Sequence, residues 1–231
     1  MKTELQVPAS LSDIPLYKYQ EFAKIAKDST GEFVDRKMVS IFCDVPMNIV
    51  AKIKKYSLDD VVSHLAGLFS KETELKREFN LNSGKSSVDF GFIPDLEDIT
   101  LDEYADLDNY INDWENMHKA MAVCYRPITT KIKEKYTISE YTGTNDFKDL
   151  MKYTPMDVVL SARLFFWNLA NELVKSTRLS LLEEMEMEAM QKNSNYQTTG
   201  DGTQVFTLSL KEIFSDLKKS ESLEFPKPSL I

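Results

Sequence analysis

Thr154-Pro155-Met156-Asp157 opens the stretch that decides the fold, and Val158, Val159, Leu160, Ala162, Leu164, Phe165, Phe166, Trp167, Leu169, Ala170, Leu173 and Val174 follow it. Thr is a good N-cap, Pro suits the first helical position, and an acid in the first turn meets the positive end of the helix dipole. Apolar positions then run nearly all round a helical wheel, which predicts burial on several sides. From Thr177 to Gln191 the pattern changes to Leu179, Leu181, Leu182, Met185, Met187, Ala189 and Met190 with interleaved glutamates. No Gly or Pro stands between Pro155 and Gly200, so one helix near 155–192 is predicted. At about 1.5 Å per residue it spans roughly 58 Å, more than the core of a small domain. Its second half is expected to project or to pack on another chain.

Upstream, Pro15 leads a helix with Leu16, Tyr19, Phe22, Ala23 and Ala26 on one face, capped by Ser12 or Asp13, and Gly31 ends it. A second helix carries Phe33, Val34, Met38, Ile41 and Phe42. A short third starts at Pro46 with Ile49, Val50 and Ile53. Ser57-Leu58-Asp59-Asp60 reads as a capping box before Val61, Val62, Leu65, Leu68 and Phe69. Residues 78–82 and 87–93 flank Ser83-Gly84-Lys85 as a β-hairpin. Thr100-Leu101-Asp102-Glu103 is a second capping box, with helices to about Tyr125, where Arg126-Pro127 stops them. Residues 129–133 and 136–141 alternate as a second hairpin across Glu134-Lys135. Downstream come a polar loop at 193–204, a short strand at 205–208, a helix from Ser209 to about Lys219, and a Pro-stiffened tail from Glu224 to Ile231. The predicted fold is mainly α: a helical bundle with one or two small β-hairpins, the long helix near 155–192, and an extended C-terminal tail. Residues 1–177 are expected to form the helical domain, and 178–231 a projecting helix, a short strand and helix, and an interface tail.

Composition narrows the function classes. The chain has 231 residues, 42% apolar and 28% charged, ordinary values for a globular protein with a real core. Its formal net charge of −9 argues against a surface that coats nucleic acid or anionic membrane. Nine acids and no Lys or Arg fall within 95–116, so this one segment equals the whole net charge. Cys43 and Cys124 sit in apolar stretches and read as small buried hydrophobes in a reducing compartment. The opening residues have no apolar core with a cleavage site, so no signal peptide is expected. No run reaches the roughly 18 apolar residues needed to span a bilayer.

Catalytic and metal chemistry find little footing. His64 and His118 are the only histidines, and neither belongs to an H-x-x-x-H pair. Glu115 and His118 have the spacing of a helical-bundle di-iron ligand pair, but no second Glu-x-x-His exists. Asp106-Leu107-Asp108-Asn109 begins like a calcium loop and lacks its Gly and closing Glu. Gly84-Lys85-Ser86-Ser87 resembles the end of a phosphate loop, but Phe79 stands where its first Gly belongs. No cofactor, no metal and no enzymatic activity are expected. The acidic run reads instead as a docking surface made by Asp95, Asp98, Asp102, Asp106, Asp108 and Asp113, suited to a basic neighbour. The candidate interface residues are Trp114, the Phe165-Phe166-Trp167 run, Leu181, Met185 and Met190 on the long helix, and Phe225, Pro226, Pro228 and Ile231 in the tail.

Three stretches carry a family resemblance. The first is Leu16-Tyr17-Lys18-Tyr19-Gln20-Glu21-Phe22 with Asp35-Arg36-Lys37-Met38-Val39-Ser40-Ile41-Phe42 and Ser57-Leu58-Asp59-Asp60. The second runs from Gly91-Phe92-Ile93-Pro94 through Trp114-Glu115-Asn116-Met117-His118 to Arg126-Pro127. The third is Thr154-Pro155-Met156-Asp157 with Phe165-Phe166-Trp167-Asn168-Leu169. Together they resemble small helical proteins of tailed bacteriophages, especially crAss-like phages infecting Bacteroides and relatives. The resemblance covers about 16–175 and implies a virion structural protein, a homo-oligomeric ring of the head–tail connector or tail barrel. It implies the portal and other tail proteins as neighbours, assembly in the bacterial host cytoplasm, and contacts with neither membrane nor specific nucleic-acid sequence. The short-helix opening also resembles tail assembly chaperones of long-tailed phages, which are not retained in the mature particle.

Overall fold

The structure, a computed structural model, describes residues 5–71, 73–82 and 87–196. The chain divides after Phe165 into two compact units. The first begins with a 3-10 turn, Leu11–Asp13, whose Asp13 carboxylate accepts hydrogen bonds from the backbone N–H groups of Ala9 and Ser10 at 3.0 and 2.9 Å. Helices α1 (Leu16–Asp28), α2 (Glu32–Phe42), α3 (Met47–Val50) and α4 (Lys55–Phe69) follow. Helix α2 stops because Asp44 turns left-handed at φ 53° and the Val45 N–H reaches back to the Ser40 carbonyl at 3.0 Å. Lys18, nearly buried, pairs with the Asp44 carboxylate at 2.5 Å and holds that turn against α1. Phe22, Phe42, Phe69 and Tyr19 join these helices through ring contacts of 5.2–5.6 Å. The box expected at Ser57 is not a cap: α4 begins two residues earlier, after Lys54, with no side chain capping it.

Strands β1 (Glu78–Asn82) and β2 (Ser87–Phe92) form the first expected hairpin, its turn lying outside the described residues. Helices α5 (Leu101–Tyr110) and α6 (Met117–Cys124) come next. Strand β3 (Tyr125–Ile132) then starts where α6 stops, and β4 (Lys135–Ile138) pairs back on it. The two hairpins are not separate. Phe90, Gly91 and Phe92 of β2 pair with Pro127, Arg126 and Tyr125 of β3, giving one antiparallel sheet in the order β1-β2-β3-β4. The first unit is therefore a mixed helix-and-sheet structure rather than a helical bundle with hairpins. Arg126-Pro127, read as a mere helix stop, lies within the strand that joins the sheet. Pro127 is the terminal pair of the β2–β3 seam and its carbonyl accepts from the Ser139 N–H at 2.9 Å just past the end of β4, so its missing N–H falls at the edge of both pairings.

Gly91 explains how the seam closes. A Cβ there would lie 2.5 Å from Cε2 of Tyr136 and 3.1 Å from Cγ1 of Ile128. The Tyr136 ring crosses the strand through that gap, and its hydroxyl donates to the Phe92 carbonyl at 2.9 Å. Behind the sheet, Phe92 meets Tyr125 at 5.3 Å and Phe165 at 5.4 Å, both edge-on.

One turn of helix, α7 (Lys148–Met151), leads to α8, Met156–Tyr196. This 41-residue helix matches the predicted long helix, and Met156, Val158, Val159, Leu160 and Ala162 in its first turns are buried core. Its cap differs from the expected one. The Thr154 hydroxyl donates to Sδ of Met151 at 3.3 Å, and the Met156 N–H is satisfied instead by the Ile14 carbonyl at 2.9 Å. Reciprocally, the Leu16 N–H at the start of α1 donates to the Thr154 carbonyl at 2.8 Å, with Pro15 and Pro155 facing each other in an isolated antiparallel bridge. Beyond Phe165, α8 belongs to the second unit. The expected strand at 205–208, the helix from Ser209 and the tail lie outside the described residues.

Gly91→Ala forces the Tyr136 ring off the strand and is expected to cost about 1–3 kcal/mol, as overpacking of a filled core does. A lowered urea midpoint with unchanged slope is the expected readout, and an unchanged midpoint would show that Tyr136 does not need the gap.

Candidate assembly surface and the ionic groups behind it

Helix α5 is patterned inside out. Its capping box forms as the sequence predicts: the Glu103 N–H donates to Thr100 Oγ1 at 3.3 Å, and the Glu103 carboxylate accepts from the Thr100 N–H at 2.8 Å. The same spacing turns Glu103 and Leu107 inward. Positions 101, 104, 105 and 108 share the opposite face at i, i+3, i+4 and i+7. Leu101 and Tyr104 are consequently 80% and 59% exposed, with Asp102, Ala105 and Asp108 exposed around them. Two large apolar side chains face solvent while a carboxylate lies inside.

Arg126 of β3 compensates that carboxylate. Its Nη2 lies 2.6 Å from Glu103 Oε1, with side-chain exposures of 9% and 4%. The guanidinium also lies 5.7 Å from the ring centre of Tyr141, whose hydroxyl donates to Asp106. Burial and the Asp106 carboxylate both push the Tyr141 hydroxyl well above the usual phenol range. The pair fastens α5 to the sheet and fixes which face of the helix looks out.

The six acids expected to form one docking surface separate accordingly. Asp95, Asp98, Asp102 and Asp108 are exposed. Asp106 is half-buried under Tyr141, and half-buried Asp113 accepts from the Glu115 N–H at 2.9 Å and the Asn116 amide at 2.6 Å. Both are occupied in holding local structure. Sequence reasoning missed Leu101 and Tyr104, although a helical wheel drawn through Thr100-Leu101-Asp102-Glu103 already sets them opposite Glu103.

The predicted interface aromatics are half-buried, each with part of its ring surface exposed. Trp114 is half-buried, its ring tilted against Tyr19 at 4.4 Å, with the Arg163 guanidinium 4.4 Å from its ring centre. Nε and Nη1 of Arg163 and the hydroxyl of Tyr19 are buried without a hydrogen-bond partner among the described residues. Burial pushes the Tyr19 hydroxyl up to about 12 against the opposing charge of Arg163. Phe165 packs on Phe92, and Phe166 and Trp167 are half-buried. In the second unit Leu173, Leu179 and Met187 are exposed along α8. Leu181, Met185 and Met190 are on this helix with side chains outside those described, and Phe225, Pro226, Pro228 and Ile231 lie outside the described residues altogether.

The histidines have structural partners. The His64 Nε2–H donates to the Pro8 carbonyl at 2.9 Å. The Gln20 amide donates to the Trp114 carbonyl at 2.8 Å and lies 3.1 Å from His118 Nδ1, which accepts only in a neutral ring. Burial, then Lys152 and Lys119, hold His118 below the ordinary imidazole range. Cys43 and Cys124 are both buried and free; burial pushes the Cys43 thiol up to about 11 and raises that of Cys124 as well, so neither is an activated nucleophile. Among the described residues no group of three or more His, Cys, Asp or Glu is placed to hold a metal, and no helix is long and apolar enough to cross a membrane.

Two measurements test these groups. Glu103→Leu alone leaves a guanidinium buried without its counter-charge and is expected to cost about 3–5 kcal/mol, while adding Arg126→Met should recover most of that loss. Additive losses in the double-mutant cycle would mean that the pair does not act as a unit. His118 binds a proton less readily folded than unfolded, so its contribution is complete above its ordinary value of 6.5 and is lost as the pH falls below it. His118→Gln should therefore flatten the fall in stability between about pH 7.5 and about 5.5, and an unchanged slope would remove His118 from that role. Compared with protein-family models, curated proteins and solved structures, the chain matches none.

Proposed function

We propose that this chain is a virion structural protein of a tailed bacteriophage, a ring component of the head–tail connector or tail barrel. It acts through protein–protein contacts and not as an enzyme. Its partners are further copies of itself, the portal and other tail proteins, and it is assembled in the bacterial host cytoplasm before residing in the particle.

The observation that supports this reading is the display of large apolar side chains on regular helices: Leu101 and Tyr104 on α5, and Leu173, Leu179 and Met187 on α8. Burying a Leu or Met side chain in a neighbour releases roughly 1.5–3 kcal/mol, so repeated exposure of this kind favours a bound state. The acids around α5 steer and orient docking more than they strengthen it. The sequence resemblance over about 16–175 points the same way.

A second reading, a tail assembly chaperone that leaves before maturation, draws on the exposed Met187, since flexible methionines adapt to varied partners. Quantitative mass spectrometry of purified particles separates the two. A copy number equal to the portal's, or a small multiple of it, is expected for a ring component. Absence from mature particles together with abundance in infected cells would overturn the ring reading and favour the chaperone.

A further inference from the structure

The first unit carries a second exposed surface whose chemistry is the complement of the α5 face. The β3–β4 hairpin turns at Lys133-Glu134, with Ile132 opposite Lys135 and Lys133 held at φ 56°. Ile132, at the end of its strand, is 70% exposed. Lys135 stands opposite it on the same face of the hairpin, and Lys133 and Glu134 form the turn beside it; Lys131, on the other face, pairs with Glu78, and Lys133 and Lys135 make no ion pair among the described residues. An apolar side chain beside two lysines and one carboxylate, Glu134, thus stands at a hairpin tip that is basic on balance. On α5 an apolar centre of Leu101 and Tyr104 is ringed by Asp98, Asp102 and Asp108, which also make no ion pair among the described residues.

We infer that these surfaces are the two halves of one self-contact, in which the α5 face of one copy receives the β3–β4 hairpin tip of the next. Within one chain they do not cover each other, because Leu101 and Ile132 are both largely exposed. Arg126, tied to Glu103 beneath α5, is six residues from Ile132 along β3, or roughly 20 Å at about 3.3 Å per residue. The halves are therefore separate patches, and the contact is head-to-tail. Such a contact repeats from copy to copy and terminates only by closing into a ring. The sign pattern also sets polarity: α5 against α5, or tip against tip, would place like charges together. The Glu103–Arg126 pair, by fixing the rotation of α5, is what points Leu101 and Tyr104 at the neighbour.

The inference rests on the ring reading but is tested apart from it. Self-association of the full-length chain is measured by native mass spectrometry and sedimentation velocity at raised concentration and low salt. Two charge-reversed variants are compared: Asp98→Lys/Asp102→Lys/Asp108→Lys on α5, and Lys133→Glu/Lys135→Glu on the tip. Each alone is expected to weaken association at least tenfold. An equimolar mixture of the two should associate again in alternating order, since the basic α5 of one variant meets the acidic tip of the other. A misfolded variant would not be rescued by mixing. A monomeric wild-type chain, association indifferent to reversal, or a mixture that stays monomeric would each overturn the contact. A chain abundant in particles whose self-association ignores the reversals keeps the ring reading and loses this contact. A chain absent from particles whose association follows the charge swap does the opposite.

Discussion

Two helices begin here by lending each other a backbone carbonyl. An α-helix leaves its first N–H groups without internal partners, and a side chain usually satisfies one of them. In this chain the Leu16 N–H of α1 uses Thr154 and the Met156 N–H of α8 uses Ile14, at 2.8 and 2.9 Å. Proline before each start removes one orphan donor and sets an extended approach, so the segments run antiparallel for a single bridge. Asp157, one residue further into α8, adds its carboxylate at the joint. Ser12 donates to it at 2.5 Å, and Lys76 pairs with it. Lys76 in turn donates its backbone N–H to Ser161 at 3.1 Å and accepts the Tyr125 hydroxyl at 2.7 Å. One junction therefore gathers the amino-terminal helices, the approach to β1, the start of β3 and the root of α8.

The α5–sheet connection follows a different logic. A buried ion pair rarely gains much over well-packed apolar residues, because desolvating both charges offsets their attraction. Glu103 and Arg126 are better understood through direction than through stability. A leucine at 103 would pack as well against an apolar strand, yet it would not tell α5 which way to roll. With a carboxylate required to meet a guanidinium, the helix has one acceptable rotation, and that rotation leaves Leu101 and Tyr104 outside.

How much was legible in the residues depended on whether the information was local. The Thr100–Glu103 box, the two hairpins and the unbroken run behind Pro155 all rest on neighbours within a few positions, and each element stands close to where periodicity puts it. The seam between β2 and β3 does not. It joins positions more than thirty apart through three residue pairs, and its enabling feature is the missing Cβ of Gly91, which reads in sequence as an ordinary strand-end glycine. Ser57 misled because a polar residue followed by acids resembles a cap wherever it falls. Thr154 misled because its obvious role was taken by a carbonyl from the other end of the unit. Leu101 and Tyr104 escaped notice because an apolar residue on an amphipathic helix is assumed to face inward. Only the pairing of Glu103 with Arg126, a tertiary fact, reverses that assumption.

The reciprocal junction has a consequence for how the protein is made. Leu16 leaves the ribosome about 140 residues ahead of Thr154, whose carbonyl receives its N–H. At ~5–20 residues per second that interval is roughly 7–28 s. Throughout it the first turn of α1 lacks the carbonyls of Lys152 and Thr154 that receive its Tyr17 and Leu16 N–H groups in the finished fold. The amino-terminal half must therefore hold together by its own helix contacts, or with the help of cellular folding machinery, until translation has passed Pro155.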